Sequence, residues 1–440
     1  MVQNDLSETD LLERVRRLEE HQFESGTPSD FTAGQGKTTN LTSLTSTGQT
    51  TVGSLSVDDA AVPHSLAVWM VYKDGSEVVA VDDTGNEVNR GTDARAVFQD
   101  AINQANDKFD PNKKFEPVVL IDGGFREYTI DDPLVVKDGA VVQNARFDLS
   151  GLGASEWFTV GGPNDGYTHG AARVRNIVFR DPANRVRLRD LVHVDIGPIV
   201  IENAANVGLE IQSCIGCRVR AHINQTGAEG ILVNSNGETA GKSNVNDFWF
   251  RANGCSSSGV RMGGDTSGNR AMIISENNGD HGISGFGRDN LYIAPWVESN
   301  GNRGMLLQGT RPRVIHPTLW DNNGGGGDTQ GIRVVGCDRS VVTGPLGGND
   351  DMVVASGADN RVDNVSPSNV IADNATRTRW DGIIAGGPSG GTDIGSVTGA
   401  SEGDLARGDG TTGSADAVYI LKSTGDWQAL HDPATTITPS

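Results

Sequence analysis

The chain has 440 residues, of which 58 are glycine and 36% are hydrophobic, a balance that favours many short strands joined by tight turns over long helices. Its formal net charge is −21 at pH 7, so we expect no nucleic-acid partner, because phosphate binding requires a basic face. No stretch approaches the about 20 consecutive apolar residues of a membrane-spanning helix, so no membrane insertion is expected.

The kinds of charged residue carry a second signal. Of the 36 basic residues, 8 are lysine and the remaining 28 are arginine, and the acidic residues include several paired aspartates such as Asp82-Asp83 and Asp350-Asp351. A dense carboxylate surface that is poor in lysine keeps a protein hydrated where salt screens charge. The composition therefore predicts adaptation to very salty water, with an ordinary acidic extracellular protein as the alternative.

The first element in chain order is an amphipathic helix over residues 9–22. Apolar or bulky residues recur at heptad-like spacing on it, namely Leu11, Val15, Leu18 and Gln22. Two heptads are too few for a stable isolated helix, so it is either a short trimeric coil or a helix packed on its own chain. We assign residues 1–24 to this oligomerisation or anchor helix.

The start of the chain has neither a basic nor an apolar leader segment, so assembly without a signal peptide is expected.

Residues 25–62 are rich in Thr, Ser and Gly, and we predict an extended connector whose strands pair with neighbouring chains. Residues 63–115 contain two alternating strands, Ala67–Tyr72 and Val78–Val81, joined by a turn. A helix of about a dozen residues follows Gly91, since Val97, Phe98 and Ile102 fall on one helical face.

A repeat follows, made of glycine and then an apolar, a variable and an apolar residue. Its six starts are 22, 29, 23, 22 and 27 residues apart, at Gly208, Gly230, Gly259, Gly282, Gly304 and Gly331. A period of this length without intervening helices fits one turn of a three-faced parallel β-helix. Asn-Gly pairs at Asn253, Asn278, Asn300 and Asn323 predict a ladder of stacked side-chain amides, with each glycine at a positive-φ corner.

Two of the four cysteines have a spacing seen in metal sites. Cys214 and Cys217 are separated by two residues, but no second such pair or histidine pair completes four ligands. We therefore predict buried thiols, with no metal and no cofactor.

Several segments together resemble a known family. The order Val71-Tyr-Lys-Asp-Gly75, Asp82-Asp-Thr-Gly-Asn86, Gly91-Thr-Asp-Ala94, a helix and then Asn-Gly coils looks like pectate-lyase-like right-handed parallel β-helix proteins, and it is similar in style to their viral tailspike members, here of haloarchaeal type. The likeness covers about residues 66–370. It implies an all-β fold with the β-helix over residues 116–368 and the helix of residues 91–106 capping its open end. Residues 369–440 resemble short C-terminal β modules of phage tail and fibre proteins, where three chains often pair.

A candidate site follows from aligning the Asn-Gly pairs. The residues two places before each asparagine are Arg251, Glu276, Glu298 and Asp321. Coils about 4.8 Å apart would stack them on one face, and carboxylates about 5 Å apart have the separation of a retaining glycosidase pair. We predict Glu276, Glu298 and Asp321 as the candidate catalytic residues.

The tryptophans Trp249, Trp296 and Trp320 precede these positions in the same coils. Exposed indole rings beside carboxylates suit glycan binding, so these three residues and Arg251 are the candidate ligand-binding residues. A solvated acidic surface with the tryptophans in the core is the alternative, and a lone His316 nearby is interpreted as structural.

Together these features predict an exterior virion protein, either a tailspike, a fibre or a capsid spike (turret). We expect a homotrimer assembled in the host cytoplasm and attached to other virion proteins through its N-terminal segment. Its β-helix would bind a host surface polysaccharide or the glycan of a glycoprotein. A polysaccharide-degrading glycosidase or lyase and a purely structural capsid decoration are the alternatives.

Overall fold

The computed structural model describes the side chains of residues 67–110, 112, 116–153, 157–162, 170–234, 242–322, 331–343, 360–363, 419, 428–429 and 436, and otherwise the backbone of the short strands given below. The chain divides into two units, residues 1–63 and 64–440. In the first unit β1 (Thr32–Ala33) pairs antiparallel with β2 (Lys37–Thr38). The predicted helix of residues 9–22 lies outside the described residues. No helix in the described part of the chain is long and apolar enough to cross a membrane.

The second unit opens with a hairpin and a helix. Strands β3 (Ala67–Asp74), β4 (Glu77–Val81) and β5 (Glu87–Gly91) pair antiparallel, and α1 (Ala94–Asp107) follows. The Asp93 side chain caps α1 by accepting a hydrogen bond from the Ala96 amide at 3.2 Å. The predicted hairpin and helix are thus both present.

Helix α1 packs over the first coils of the molecule. Its buried face includes Phe98, whose ring meets those of Tyr128 and Phe147 edge-on, with centroids 4.9 and 5.1 Å apart. The helix therefore covers the interior that the end of a β-helix would otherwise expose.

One parallel ladder is built from the longer strands. Its early members are β6 (Val119–Thr129), β8 (Ala140–Asp148), β10 (Arg173–Arg180), β12 (Asp195–Ala204), β14 (Arg218–Thr226), β16 (Asp247–Cys255) and β18 (Arg270–Glu276). The later coils divide this strand in two, giving β20 (Leu291–Ile293) with β21 (Trp296–Glu298), β23 (Arg313–Ile315) with β24 (Thr318–Trp320), and β26 (Val341–Thr343) with β27 (Gly347–Gly348). The ladder ends in β29 (Asn360–Asp363) and β31 (Thr378–Trp380).

A second parallel ladder is built from the shorter strands. Its members are β7 (Leu134–Val136), β9 (Phe158–Gly161), β11 (Val186–Arg189), β13 (Leu209–Gln212), β15 (Ile231–Asn234), β17 (Val260–Met262), β19 (Ile283–Gly285), β22 (Met305–Thr310), β25 (Ile332–Asp338), β28 (Val353–Gly357) and β30 (Val370–Ala375). The chain alternates between the two ladders, so each coil contributes a strand to both. The fold is the all-β, right-handed parallel β-helix that the repeat predicts.

All six predicted repeat starts are in register. The residues after the six glycines pair successively, from Leu209 with Ile231 through to Met305 with Ile332. Inward side chains alternate with outward ones and fill the coil with apolar and aromatic groups, such as Phe147 stacked on Phe179 at 5.9 Å.

Parallel pairing continues past the boundary predicted at residue 368. Strand β30 pairs parallel with β28, and β31 pairs parallel with β29, so the coil reaches Trp380. The ladder then turns largely antiparallel through β32 (Ile383–Ala385), β33 (Leu405–Arg407), β34 (Val418–Leu421), β35 (Trp427–Ala429) and β36 (Thr436–Ile437), with β32 and β33 parallel.

Candidate functional site

The outward side chains of the long strands from β14 to β24 form one continuous surface, which we call the outer face. Because parallel strands keep register, its residues stand in columns across successive coils. One column contains His222, Arg251, Ile274, Trp296 and Thr318. The column beside it contains Asn224, Asn253, Glu276, Glu298 and Trp320. A third column contains Arg220, Trp249 and Met272.

The three predicted tryptophans all lie on the outer face, and none is in the core. Trp249, Trp296 and Trp320 are 57%, 42% and 44% exposed. They occupy three different columns on three different coils, so they form a diagonal row across the face. Indole rings are large apolar groups, and this row of them is exposed to solvent rather than packed in the core.

The carboxylates Glu276 and Glu298 are direct neighbours on adjacent strands. Glu276 accepts a hydrogen bond from Arg251 Nη2 at 3.1 Å, and Glu298 accepts one from the indole nitrogen of Trp296 at 3.0 Å. The predicted stacking of these two glutamates is therefore present, with each carboxylate already held by a neighbour.

The predicted alignment of Arg251 and Asp321 with these glutamates is wrong. Arg251 pairs in register with Ile274, and Glu298 pairs with Trp320, which places Asp321 one residue further on at a corner. Asp321 has a φ of 49°, so it belongs to a column of left-handed corner residues and not to the carboxylate column.

The physical reason is that the Asn-Gly pairs are not equivalent. In the coil of β16 the glycine Gly254 takes the left-handed corner (φ 68°), whereas in the next two coils Asn277 and Ser299 take it. The pair at Asn253 therefore lies two positions earlier in its coil than the pair at Asn278. Aligning the pairs by sequence therefore displaces Arg251 by two positions. It displaces Asp321 by one, because Asn322 and not Asn323 follows Asn300 in the buried ladder.

The predicted asparagine ladder exists and contains Asn278 and Asn300 as predicted, with Asn322 as its third member. Asn278, Asn300 and Asn322 are buried just after the corner, and each donates its amide to the next at 2.7 Å. Asn253 faces outward, and Asn323 lies outside the described residues. A second buried ladder, of Asn246, Asn269 and Asn290, has amide contacts of 2.9 and 3.1 Å.

Glycine is needed in these pairs mainly because neighbouring coils come too close to leave room for a side chain, and less because the backbone has a positive φ. A Cβ on Gly279 would lie 2.4 Å from the Ser256 carbonyl oxygen, and one on Gly301 would lie 2.3 Å from that of Gly279. Of the three pairs that the structure describes, the predicted positive φ holds only at Gly254.

His222 precedes Arg251 in its column and was not predicted as a site residue from the sequence. Burial lowers the pKa of His222, and the charge of Arg251 lowers it further against the opposing effect of Glu276. The alternation of β14 was the available signal, since it places Arg218, Arg220 and His222 on one face. His316, interpreted as structural, is exposed at a left-handed corner with φ 50°.

The thiols are buried as predicted. Cys214 and Cys217 are free, and their sulfurs donate to the carbonyls of Gln212 at 3.3 Å and Ile215 at 3.4 Å. Among the described residues no group of three or more His, Cys, Asp and Glu side chains could hold a metal ion.

No protein-family model and no curated protein matches this chain. Solved structures that it resembles include the A-module of mannuronan C-5 epimerase AlgE4 from Azotobacter vinelandii, at 13% identity and TM-score 0.36, covering 66% of this chain and 91% of that one. PfbA, a surface adhesin of Streptococcus pneumoniae, has 9% identity and TM-score 0.39, with 64% and 90% covered. Tailspike protein 3 of bacteriophage CBA120 has 11% identity and TM-score 0.38, with 71% and 64% covered. At these values nothing about binding or activity transfers to this chain.

Proposed function

We propose that the outer face binds a surface glycan, with Trp249, Trp296 and Trp320 as stacking platforms. The observation that carries this proposal is the diagonal row of exposed indoles. Among the described residues eight large hydrophobic side chains are exposed, and four of them lie on the outer face, namely the three tryptophans and Ile274. The other four are distributed over β3, β6 and a corner, so the outer face is where apolar exposure is concentrated.

The spacing of the indoles suits an extended ligand. Strands lie about 4.8 Å apart and two residues along a strand span about 6.7 Å, so Trp296 and Trp320 are separated by about 8 Å and Trp249 and Trp296 by about 12 Å. Arg251, Glu276 and Glu298 lie beside the row and supply donors and acceptors for sugar hydroxyls. A single oligosaccharide crossing several coils can therefore contact all three rings.

We further propose that the protein is an exterior component of a virion infecting a cell of salty environments. The tailspike-like order of segments before the β-helix and the lysine-poor acidic composition support this. In this proposal residues 1–24 attach the protein to other virion proteins and three chains assemble around that segment.

Binding is tested by measuring retention of the protein on immobilised host surface polysaccharide. Trp249→Ala and Trp296→Ala should each weaken binding about tenfold or more, as expected for aromatic side chains that a bound ligand covers. Tyr72→Ala is the matched control, because Tyr72 is 40% exposed on β3, six strands along the ladder from Trp249. No retention of any form of the protein would favour a purely structural decoration. Retention of wild type that both tryptophan variants match would place binding away from the outer face.

Hydrolysis is a second candidate function, favoured by the adjacent Glu276 and Glu298. Their backbone separation of about 4.8 Å approaches the carboxylate separation of retaining glycosidases. Release of reducing ends that disappears in Glu276→Gln and Glu298→Gln, while retention on the polysaccharide persists, would support an enzyme. Retention without release in the wild-type protein would leave a binding protein.

A further inference from the structure

The most exposed of the three tryptophans lies in a different electrostatic setting from the other two. Trp249 stands between Arg220 and Met272 in its column, with Asp247 and Arg251 on either side along β16. The strands on either side add Arg218 and Arg270 at the positions that pair with Asp247. Four arginines therefore occupy positions beside or diagonal to Trp249 on the outer face.

Three of these arginines are paired with carboxylates. Arg270 binds Asp247 through two contacts of 2.7 and 3.0 Å. Arg220 contacts Asp195 at 3.3 Å, and Arg251 contacts Glu276 at 3.1 Å.

The fourth, Arg218, forms no ion pair within the described part of the chain, although it is close enough to Asp247 to help lower the pKa of that carboxyl. Four cations thus meet three anions, which leaves one positive charge in excess on a chain of net charge −21.

The other end of the row has the opposite character. Trp296 donates its indole N–H to Glu298, and Trp320 pairs in register with the same glutamate. Thr318 is the remaining polar neighbour along β24. This end offers acceptors for hydroxyl groups, and the register partners described for it include no arginine.

We propose that the ligand of the outer face is an acidic glycan, bound with an anionic sugar stacked on Trp249 and neutral sugars on Trp296 and Trp320. This inference rests on the proposed glycan binding and deepens it. The planar guanidinium fork matches a carboxylate or a sulfate through two parallel hydrogen bonds, so Arg218 and Arg251 are the residues that would hold the anionic group. The glutamates at the far end disfavour an anion there by repulsion.

The test compares retention of the full-length protein on four immobilised polymers: polygalacturonate, its methyl ester, dextran and dextran sulfate. Polygalacturonate and dextran sulfate distinguish a carboxylate from a sulfate, while the methyl ester and dextran are their neutral counterparts. We expect at least one anionic polymer to be bound about tenfold more tightly than its neutral counterpart. Arg218→Gln and Arg251→Gln should each weaken that binding by about tenfold, corresponding to one charge-assisted contact.

Arg126→Gln is the matched control, because Arg126 is exposed on β6 and its loss changes the net charge equally. Thermal midpoints equal to wild type show that each variant is folded. Equal binding of the neutral polymers, abolished by Trp249→Ala but unchanged by Arg218→Gln, would overturn the anionic subsite and leave the glycan site standing. Absence of any tryptophan-dependent binding would overturn both.

Discussion

At the scale of single residues, the buried amides of the two asparagine ladders have a role that no apolar side chain can take. Asn300 accepts hydrogen bonds from the backbone amide and the side-chain amide of Asn278, at 3.1 and 2.7 Å, and donates to Asn322. Each asparagine thus satisfies backbone and side-chain groups where the chain turns a corner inside the protein. Each buried polar group left without such a partner lowers the free energy of unfolding by about 1–3 kcal/mol.

Asn300→Ala should lower the free energy of unfolding by about 2–4 kcal/mol, because it leaves two donors of Asn278 without their acceptor. Asn302→Ala is the matched control, since Asn302 is only partly buried and donates at 3.1 Å to Asp280. Denaturant unfolding of the two variants measures the difference. Equal losses for the two variants would show that the ladder contributes no more than an ordinary surface hydrogen bond.

A second residue-scale prediction concerns His222, which faces Arg251, Glu276 and Glu202. Its pKa in the folded protein is lowered from 6.5, first by burial and then by Arg251, so the unfolded chain binds the proton more readily. The stability that the neutral ring provides is complete above the unfolded pKa and is lost as pH falls through the folded pKa. His222→Gln should therefore lose less stability than wild type between pH 7.5 and pH 5 in urea unfolding, by about 1 kcal/mol or less. An unchanged difference across this range would contradict the assignment.

At the scale of elements, the sequence predicts the short strands better than the corners. The glycine that precedes each short strand is required where neighbouring coils touch, so it recurs at the same place and the six starts are found correctly. The corner needs only a residue that tolerates left-handed φ, and Asn203, Gln225, Gly254 and Ser299 all fill it. Because the corner has no fixed residue type, the alignment of Arg251 and Asp321 with the glutamates fails. The exposure of the tryptophans follows from alternation along each strand, but their diagonal arrangement requires the true register.

Close packing between coils gives a prediction for one of these glycines. A Cβ on Gly282 would lie 2.2 Å from Val297 Cγ1, so Gly282→Ala should lower the free energy of unfolding by about 1–3 kcal/mol through overpacking. A Cβ on Gly264 meets nothing within 4 Å, and Gly264→Ala is therefore the matched control, expected within about 0.5 kcal/mol of wild type. The unfolding midpoints of both variants in urea provide the measurement. A neutral Gly282→Ala would mean that adjacent coils can separate without cost.

At the scale of the whole molecule, charge and architecture act together. Register between coils makes charged residues direct neighbours on the outer face, as like charges at Glu276 and Glu298 and as an ion pair at Arg270 and Asp247. Arg251 and Glu276 form a further, diagonal ion pair. Surface pairs of this kind each contribute about 0–1 kcal/mol, which is too little to offset a net charge of −21 spread over the chain. The uncompensated carboxylates then repel one another in the folded state more than in the expanded one.

Salt should therefore stabilise this protein strongly at neutral pH. The Debye length falls from about 10 Å at 0.1 M to about 3 Å at 1 M, so repulsion between carboxylates on neighbouring coils is largely screened. We expect the thermal midpoint at pH 7.5 to rise by about 10 °C or more between 0.1 M and 3 M KCl, given that about 1 kcal/mol shifts the midpoint by several degrees in domains smaller than this. At pH 5, close to the sequence pI of 4.7, the same change of salt should raise the midpoint much less. If the thermal midpoint rises equally at both pH values, salt acts by strengthening the burial of apolar surface and not by screening carboxylates. The acidic composition would then not reflect adaptation to salt.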